Sequence, residues 1–381
     1  MKKSEPTAKR LDRSDPDWGR LARETREGSF VREGTFVAFP LCFPGVTVPI
    51  PREASRIVTL TTDHTGMVYG ATTGQSEHVF FACFQANSGI VLDLKWPDPA
   101  ARCPAIACGP REVIFACNPP KGGSRLLRRK LQEPPGDLLH EWSFRNHPFE
   151  EAAGCLFDDP VLDLVHTRDR QHAVVATRQG CGLYDFTEEL LVDWQPVPVA
   201  GRLGAFGDSV FGFDDKGFLW RYTVPSRQLE RTRQRPDGAF AADGAFWAAD
   251  GPGHWACLVG SDGRLFQLKE SGNLEEQGRL PLLPVTTATV TPDGRLFAFA
   301  GEGIAHFFVH DLQHGSIRNH GAAVSVLERR RYGYAFASAT TGNDGELFFG
   351  EADDAGHLWL YFPSLRPARQ PATSPSADPS S

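Results

Sequence analysis

The sequence predicts an all-β chain built from seven copies of one four-stranded antiparallel unit. Three observations carry this expectation: a hairpin phrase with fixed internal spacing, weaker relatives of it at a regular step, and a composition suited to many short strands. The phrase first reads Thr65-Gly66-Met67-Val68-Tyr69, then His78-Val79-Phe80-Phe81. It returns as Asp293-Gly294-Arg295-Leu296-Phe297 with His306-Phe307-Phe308-Val309, and as Asp344-Gly345-Glu346-Leu347-Phe348 with His357-Leu358-Trp359-Leu360. The first strand residue and the histidine are equally spaced each time, 67 to 78, 295 to 306 and 346 to 357. A tight turn, an apolar strand, a polar loop and a second apolar strand make a β-hairpin. Self-similarity at a fixed period marks a repeat architecture. The 38 Gly and 29 Pro supply turns, and the 27 Phe and 8 Trp supply strand interiors.

Taken in order, residues 1–28 are charged and poor in apolar periodicity, and are expected to be disordered. The repeat domain spans 29–364, and the Pro/Ser-rich residues 365–381 are expected to form a disordered tail. Weaker copies of the hairpin begin at Val113-Ile114-Phe115-Ala116, Ala173-Val174-Val175-Ala176, Val210-Phe211-Gly212-Phe213 and Ala256-Cys257-Leu258-Val259. With the three strong copies they make seven, stepping by about 46 residues, the length of a four-stranded repeat unit. An apolar strand precedes each turn, as in Ile57-Val58-Thr59-Leu60, and a fourth follows the hairpin, as in Ile90-Val91-Leu92-Asp93-Leu94. The last unit lacks this fourth strand, because Pro363 and the tail follow Phe362. An apolar strand over residues 30–39 precedes the first unit. It is expected to complete the last one, closing the ring and removing both open edges. The best amphipathic helix stretches, 127–131 and 149–156, are short.

This pattern, clearest in Asp344-Gly345-Glu346-Leu347-Phe348 and His357-Leu358-Trp359, resembles the seven-bladed β-propeller superfamily over residues 30–363. Within it the phrase is similar to the bacterial quinoprotein-like and polysaccharide-lyase-like branches. The Trp-Asp dipeptide and regular Gly-His of WD40 repeats are absent. The resemblance implies four-stranded antiparallel blades around a channel. Loops joining strands two and three, and blade to blade, then share the face where binding usually gathers.

Several classes are disfavoured. No apolar run approaches the roughly 18 residues a membrane helix needs. The N-terminus, Met1-Lys2-Lys3-Ser4-Glu5-Pro6, lacks a signal-like apolar stretch, so a cytoplasmic protein is expected. The 8 cysteines contain no C-x-x-C pair and agree with a reducing compartment. Cys83, Cys117 and Cys257 read as buried thiols. A net charge of −7 argues against nucleic acid. The clusters Arg128-Arg129-Lys130 and Arg329-Arg330-Arg331 read as solvated faces or turns. There is no phosphate loop, no G-x-S-x-G elbow and no H-E-x-x-H.

The candidate residues sit where third strands leave the loop face. His78, His306 and His357 come from blades one, six and seven, which are neighbours in a closed ring. Together they could hold a divalent metal or act as a general-base cluster; alternatively each bonds its own blade's loop. His172 and His254 form a second pair, read as structural. Two blade-to-blade links depart from the regular repeat: residues 140–159, with Trp142, Arg145 and His147, and residues 328–334, with Arg330, Tyr332 and Tyr334. Aromatic rings interleaved with Arg suit a planar anionic ligand such as a uronic-acid sugar. Alternatively Trp142, Phe144 and Phe149 plug their loop onto the propeller. Tyr69 aligns with Phe297 and Phe348 and is a core residue.

By analogy with propeller-fold lyases, the chain would act on a uronate-containing oligosaccharide by β-elimination. Arg330 or Arg145 would neutralise the carboxylate, His357 or His306 would be the base, and Tyr332 or Tyr334 the acid. His78, His147 and Trp142 would complete the ligand site. The alternative is a non-catalytic propeller binding a protein or small molecule through the same face. A metal-dependent enzyme using the histidine set is the third reading.

Overall fold

The recurring turn works through one carboxylate. Asp63 Oδ1 accepts the Thr65 and Met67 amides at 2.8 and 3.0 Å. Asp214 repeats this with the Lys216 and Phe218 amides at 2.9 and 2.8 Å. Gly66 and Gly217 follow with φ of 85° and 78°, a left-handed conformation that glycine adopts without steric penalty. The chain therefore reverses tightly, and apolar strands pair on either side.

The computed structural model describes residues 36–42, 49–84, 90–131, 147–236, 241–249, 254–326 and 332–363. The segments 1–28 and 365–381, and residues 30–35 of the expected first strand, lie outside them. The first sheet is β2–β5 (Arg56–Thr62, Val68–Thr73, His78–Cys83, Ile90–Asp93). Next come β6–β9 (Ile106–Cys108, Glu112–Cys117, Ser124–Lys130, Glu150–Phe157) and β10–β13 (Val161–His166, His172–Thr177, Gly180–Asp185, Leu190–Pro196). They are followed by β14–β17 (Ala200–Phe206, Ser209–Phe213, Leu219–Thr223, Gln228–Arg231) and β18–β21 (Phe246–Ala249, Ala256–Val259, Arg264–Leu268, Leu274–Arg279). Then come β22–β25 (Val285–Val290, Arg295–Ala300, His306–Asp311, Ser316–Ala322) and β26–β28 (Phe336–Thr341, Leu347–Glu351, His357–Tyr361). The N-terminal strand β1 (Phe36–Pro40) pairs antiparallel with β28, from Phe36 opposite Tyr361 to Pro40 opposite His357.

The expectation of seven separate four-stranded blades is corrected by the hydrogen bonding. Among the described residues there are five four-stranded sheets and one eight-stranded sheet, ordered β10-β11-β12-β13-β9-β8-β7-β6. The outer strands β13 and β9 meet in parallel at Leu190 and Ala153. An ionic seam accompanies this join. Arg128 on β8 reaches Glu189 beside β13 and Glu150 on β9, and lies 3.7 Å from Glu112 on β7. Tyr184 Oη on β12 donates to Glu112 at 2.8 Å. Burial raises the Glu112 pKa, while the Tyr184 hydrogen bond and Arg128 oppose the shift.

Three further expectations change here. The short helix candidates 127–131 and 149–156 belong to strands β8 and β9. In β9, Ala152 and Cys155 are buried three residues apart, which imitates a helix. The cause is a register shift against β8, with Gly154 at φ 72°. Arg128 and Arg129 are also not a solvated cluster. Arg129 is buried, donates to the Leu94 carbonyl at 3.3 Å and stands 5.4 Å over the Phe149 ring.

The inner strands β2, β6, β10, β14, β18, β22 and β26 neighbour one another in that order, and β26 returns to β2, so they surround a central channel. Threonines stitch them: Thr341 Oγ1 donates to Val290 O at 2.8 Å and meets Thr289 Oγ1 at 2.7 Å, while Thr62 Oγ1 donates to Thr341 O at 3.1 Å. The core lies between adjacent sheets. Phe36 is its clearest case, with Phe299, Phe307, Phe349, Trp359 and Tyr361 ring centroids all within 6.4 Å. Tyr69, Phe297 and Phe348 are all buried. Among the described residues, no helix is long and apolar enough to cross a membrane.

Candidate binding face

Antiparallel strands reverse at each step, so loops after second strands and links between sheets emerge at one end of the ring. At that end, backbone bonds tie together three connections around the sheet β22–β25: the link before β22, the loop after β23 and the link from β25 to β26. Gly301 N donates to Pro284 O at 2.9 Å, Ala305 N to Tyr334 O at 3.0 Å, and Gly333 N to Ala323 O at 3.0 Å. Val324 bridges Tyr332, and Val326 N donates to Phe36 O at 2.9 Å. Strand β1 thus braces the face as well as closing the ring.

The side chains on this surface follow from that bracing. Ser325 points inward, because its Oγ accepts the Ala38 amide at 3.1 Å. Alternation then turns Val324 and Val326 outward while Ala323 is buried. In Tyr332-Gly333-Tyr334 a Cβ on the glycine would run into the Phe336 ring, so glycine lets the backbone lie on that ring. Both tyrosines remain open to solvent. Leu283, Ile304, Val324, Val326, Tyr332 and Tyr334 are 40–51 % exposed. They are six of the eight exposed large apolar side chains among the described residues; Leu156 and Trp194 are the others. Scattered exposed apolar residues are ordinary, but such a concentration is not.

The repeated histidines share a position but not a partner. His78 Nε2 lies 2.9 Å from Ser76 Oγ, and Nδ1 3.4 Å from Asp93 on β5. His306 Nδ1 lies 3.0 Å from Asn319 Nδ2 on β25, and the ring stacks on Phe308. His357 is buried, with Nδ1 3.0 Å from Glu351 Oε2 on β27. Each therefore contacts its own sheet. Among the described residues, no group of three or more His, Cys, Asp or Glu could hold a metal ion.

The remaining candidates are dispersed. His147 is half-buried, and Phe149 packs edge-on against Trp96 and Phe115, both at 5.4 Å. Trp142, Phe144, Arg145 and Arg330 lie outside the described residues. His172 Nε2 stands 3.5 Å from its cross-strand partner Asp185. His254 Nε2 instead accepts from Arg168 at 3.1 Å, across to the turn after β10. Sequence reasoning found the two tyrosines and missed Leu283, Ile304, Val324 and Val326. The available signal was Ala323-Val324-Ser325-Val326, an alternating run just past a fourth strand.

No protein-family model matches the sequence, and no curated protein matches it. Among solved structures the chain is similar to the β-propeller domain of Myceliophteria thermophila Cps50 (Swd1). The identity is 12% and the TM-score 0.56, covering 83% of this chain and 98% of that one. It is also similar to U3-55K, at 10% identity and TM-score 0.57, covering 86% of this chain and 98% of that one. At such identities the likeness carries the fold alone, without support for a quinoprotein-like or lyase-like branch. The chain folds as a β-propeller.

Proposed function

We propose that the chain is a non-catalytic propeller that binds a protein partner through the face bearing Leu283, Ile304, Val324, Val326, Tyr332 and Tyr334. The observation behind this is the gathering of those six exposed side chains on connections that the backbone and β1 hold together. Exposed tyrosine and aliphatic side chains in one patch match the centre of a protein interface. Small ligands favour concave pockets with convergent polar groups, and the cavity lined by inner strands lies elsewhere, in the channel. Burial of His357 beside Glu351 weighs against its serving as an open base for β-elimination.

The test has two arms. A protein that co-purifies with the chain is identified, prepared separately and titrated against wild type and an Ile304→Asp/Tyr334→Asp variant. The variant should lose at least about 100-fold in affinity, the scale of two interface anchors. In parallel, the chain is incubated with uronate oligosaccharides and followed by ultraviolet absorbance. Appearance of an unsaturated product, or unchanged affinity in the variant, would overturn the reading.

A further inference from the structure

The inner strands enclose a cavity of about 210 Å3 at the centre of the ring. It reaches the ends of β2, β10 and β26 at Thr62, His166 and Thr341, where inner strands turn into second strands. By strand alternation this end is opposite the apolar face. The charged lining is lopsided: Arg168, Arg170 and Arg202, with His166, stand against the single carboxylate Asp163.

That carboxylate is already engaged. Asp163 accepts the Leu164 amide at 2.9 Å and the Leu203 amide at 2.8 Å. Two of the guanidiniums meet a backbone carbonyl and an imidazole nitrogen, and the third belongs to an exposed residue. Arg170 Nη1 donates to Thr62 O at 2.6 Å, Arg168 Nη2 meets His254 Nε2 at 3.1 Å, and Arg202 is exposed. Among the described residues, none of the three has a carboxylate at ion-pair distance. A chain of net charge −7 thus concentrates cations at its centre. Like charges sharing one channel repel, and low-dielectric walls focus their field. The titration of the lining agrees: burial lowers the Arg170 pKa against the opposing effects of Cys108 and Asp63, and burial together with Arg170 lowers that of His166 to about 3.

We propose that the channel is a binding site for a compact phosphate-bearing anion of diphosphate size, held by Arg168, Arg170 and Arg202. Guanidinium forks match tetrahedral oxyanions with paired donors. Three guanidiniums against two engaged carboxylates, Asp163 in the lining and Asp63 behind Arg170, leave an excess that such an anion neutralises. The site is independent of the apolar face, and either reading can fail alone.

The probe is inorganic pyrophosphate, titrated calorimetrically into the full chain at fixed low ionic strength, with citrate and sodium chloride as comparators. Saturable pyrophosphate binding and a raised melting temperature are expected. Arg168→Gln and Arg202→Gln should each weaken binding by about tenfold, the scale of one charge-assisted bond. Arg202 is exposed, so its variant should fold as the wild type does, which its ligand-free melting temperature checks. Absence of saturable binding, equal binding of citrate, or full retention in the Arg168→Gln/Arg202→Gln variant would each overturn the proposal.

Discussion

The two ends of the ring are finished in opposite ways. One end carries solvent-facing apolar side chains on linked connections, braced from beneath by β1. The other carries Arg168 and Arg170 on the turn after β10, at the mouth of a channel that Arg202 lines further along and whose inner strands are stitched by threonine hydroxyls. The first offers area without direction, which suits a protein surface. The second offers concentrated positive charge, which suits the small anion proposed for it. One repeated scaffold therefore presents two chemistries, because strand alternation separates its loops into two sets.

Substitutions can break this contrast, beginning with the strand that braces the apolar end. Phe36→Ala empties a site surrounded by five aromatic rings and should cost about 3–5 kcal/mol in denaturant unfolding. It should also weaken the partner, since the Phe36 carbonyl holds Val326. At the channel end, Thr341→Val removes the hydroxyl between Val290 O and Thr289 Oγ1. A loss of about 1–3 kcal/mol is expected by the same measurement, with partner affinity unchanged.

A pH series probes the channel end more gently. His166 has a depressed folded pKa, near 3, whereas an unfolded histidine takes up its proton at about 6.5. The unfolded chain therefore binds more protons between these values, and this residue's contribution is present above about 6.5 and lost as pH falls toward 3. Melting temperatures between pH 7 and 4 should fall in wild type and fall less in His166→Gln. Smallest of all in stability, Tyr334→Ser should stay within about 0.5 kcal/mol, as exposed positions do, while still weakening the partner.

The sequence made the β-repeat readable because turns and strands are local. The phrase around Gly66, Gly294 and Gly345 needs only its own residues to form, and the missing fourth strand after Phe362 pointed to pairing by an N-terminal strand. The blade count failed as hydrogen-bonded sheets because β9 and β13 pair at Ala153 and Leu190 across a boundary, with Arg128 reaching Glu189 beside them, which no local pattern encodes. The histidines looked like a set because they share a register; their partners Asp93, Asn319 and Glu351 are set by neighbouring strands. The apolar face was half legible through Tyr332 and Tyr334. Its aliphatic part was hidden, because Ser325 turns inward only when the Ala38 amide is there to meet it.

The most direct measurement of the central claim places a photo-crosslinking residue at position 334 on the apolar face, and in a second protein at the exposed position Ser226, in a turn at the opposite end. The account predicts one defined protein adduct from position 334, lost on addition of Ile304→Asp, and no such adduct from position 226. Equal adducts from both positions, or none from 334 in cells that contain the folded chain, would contradict it.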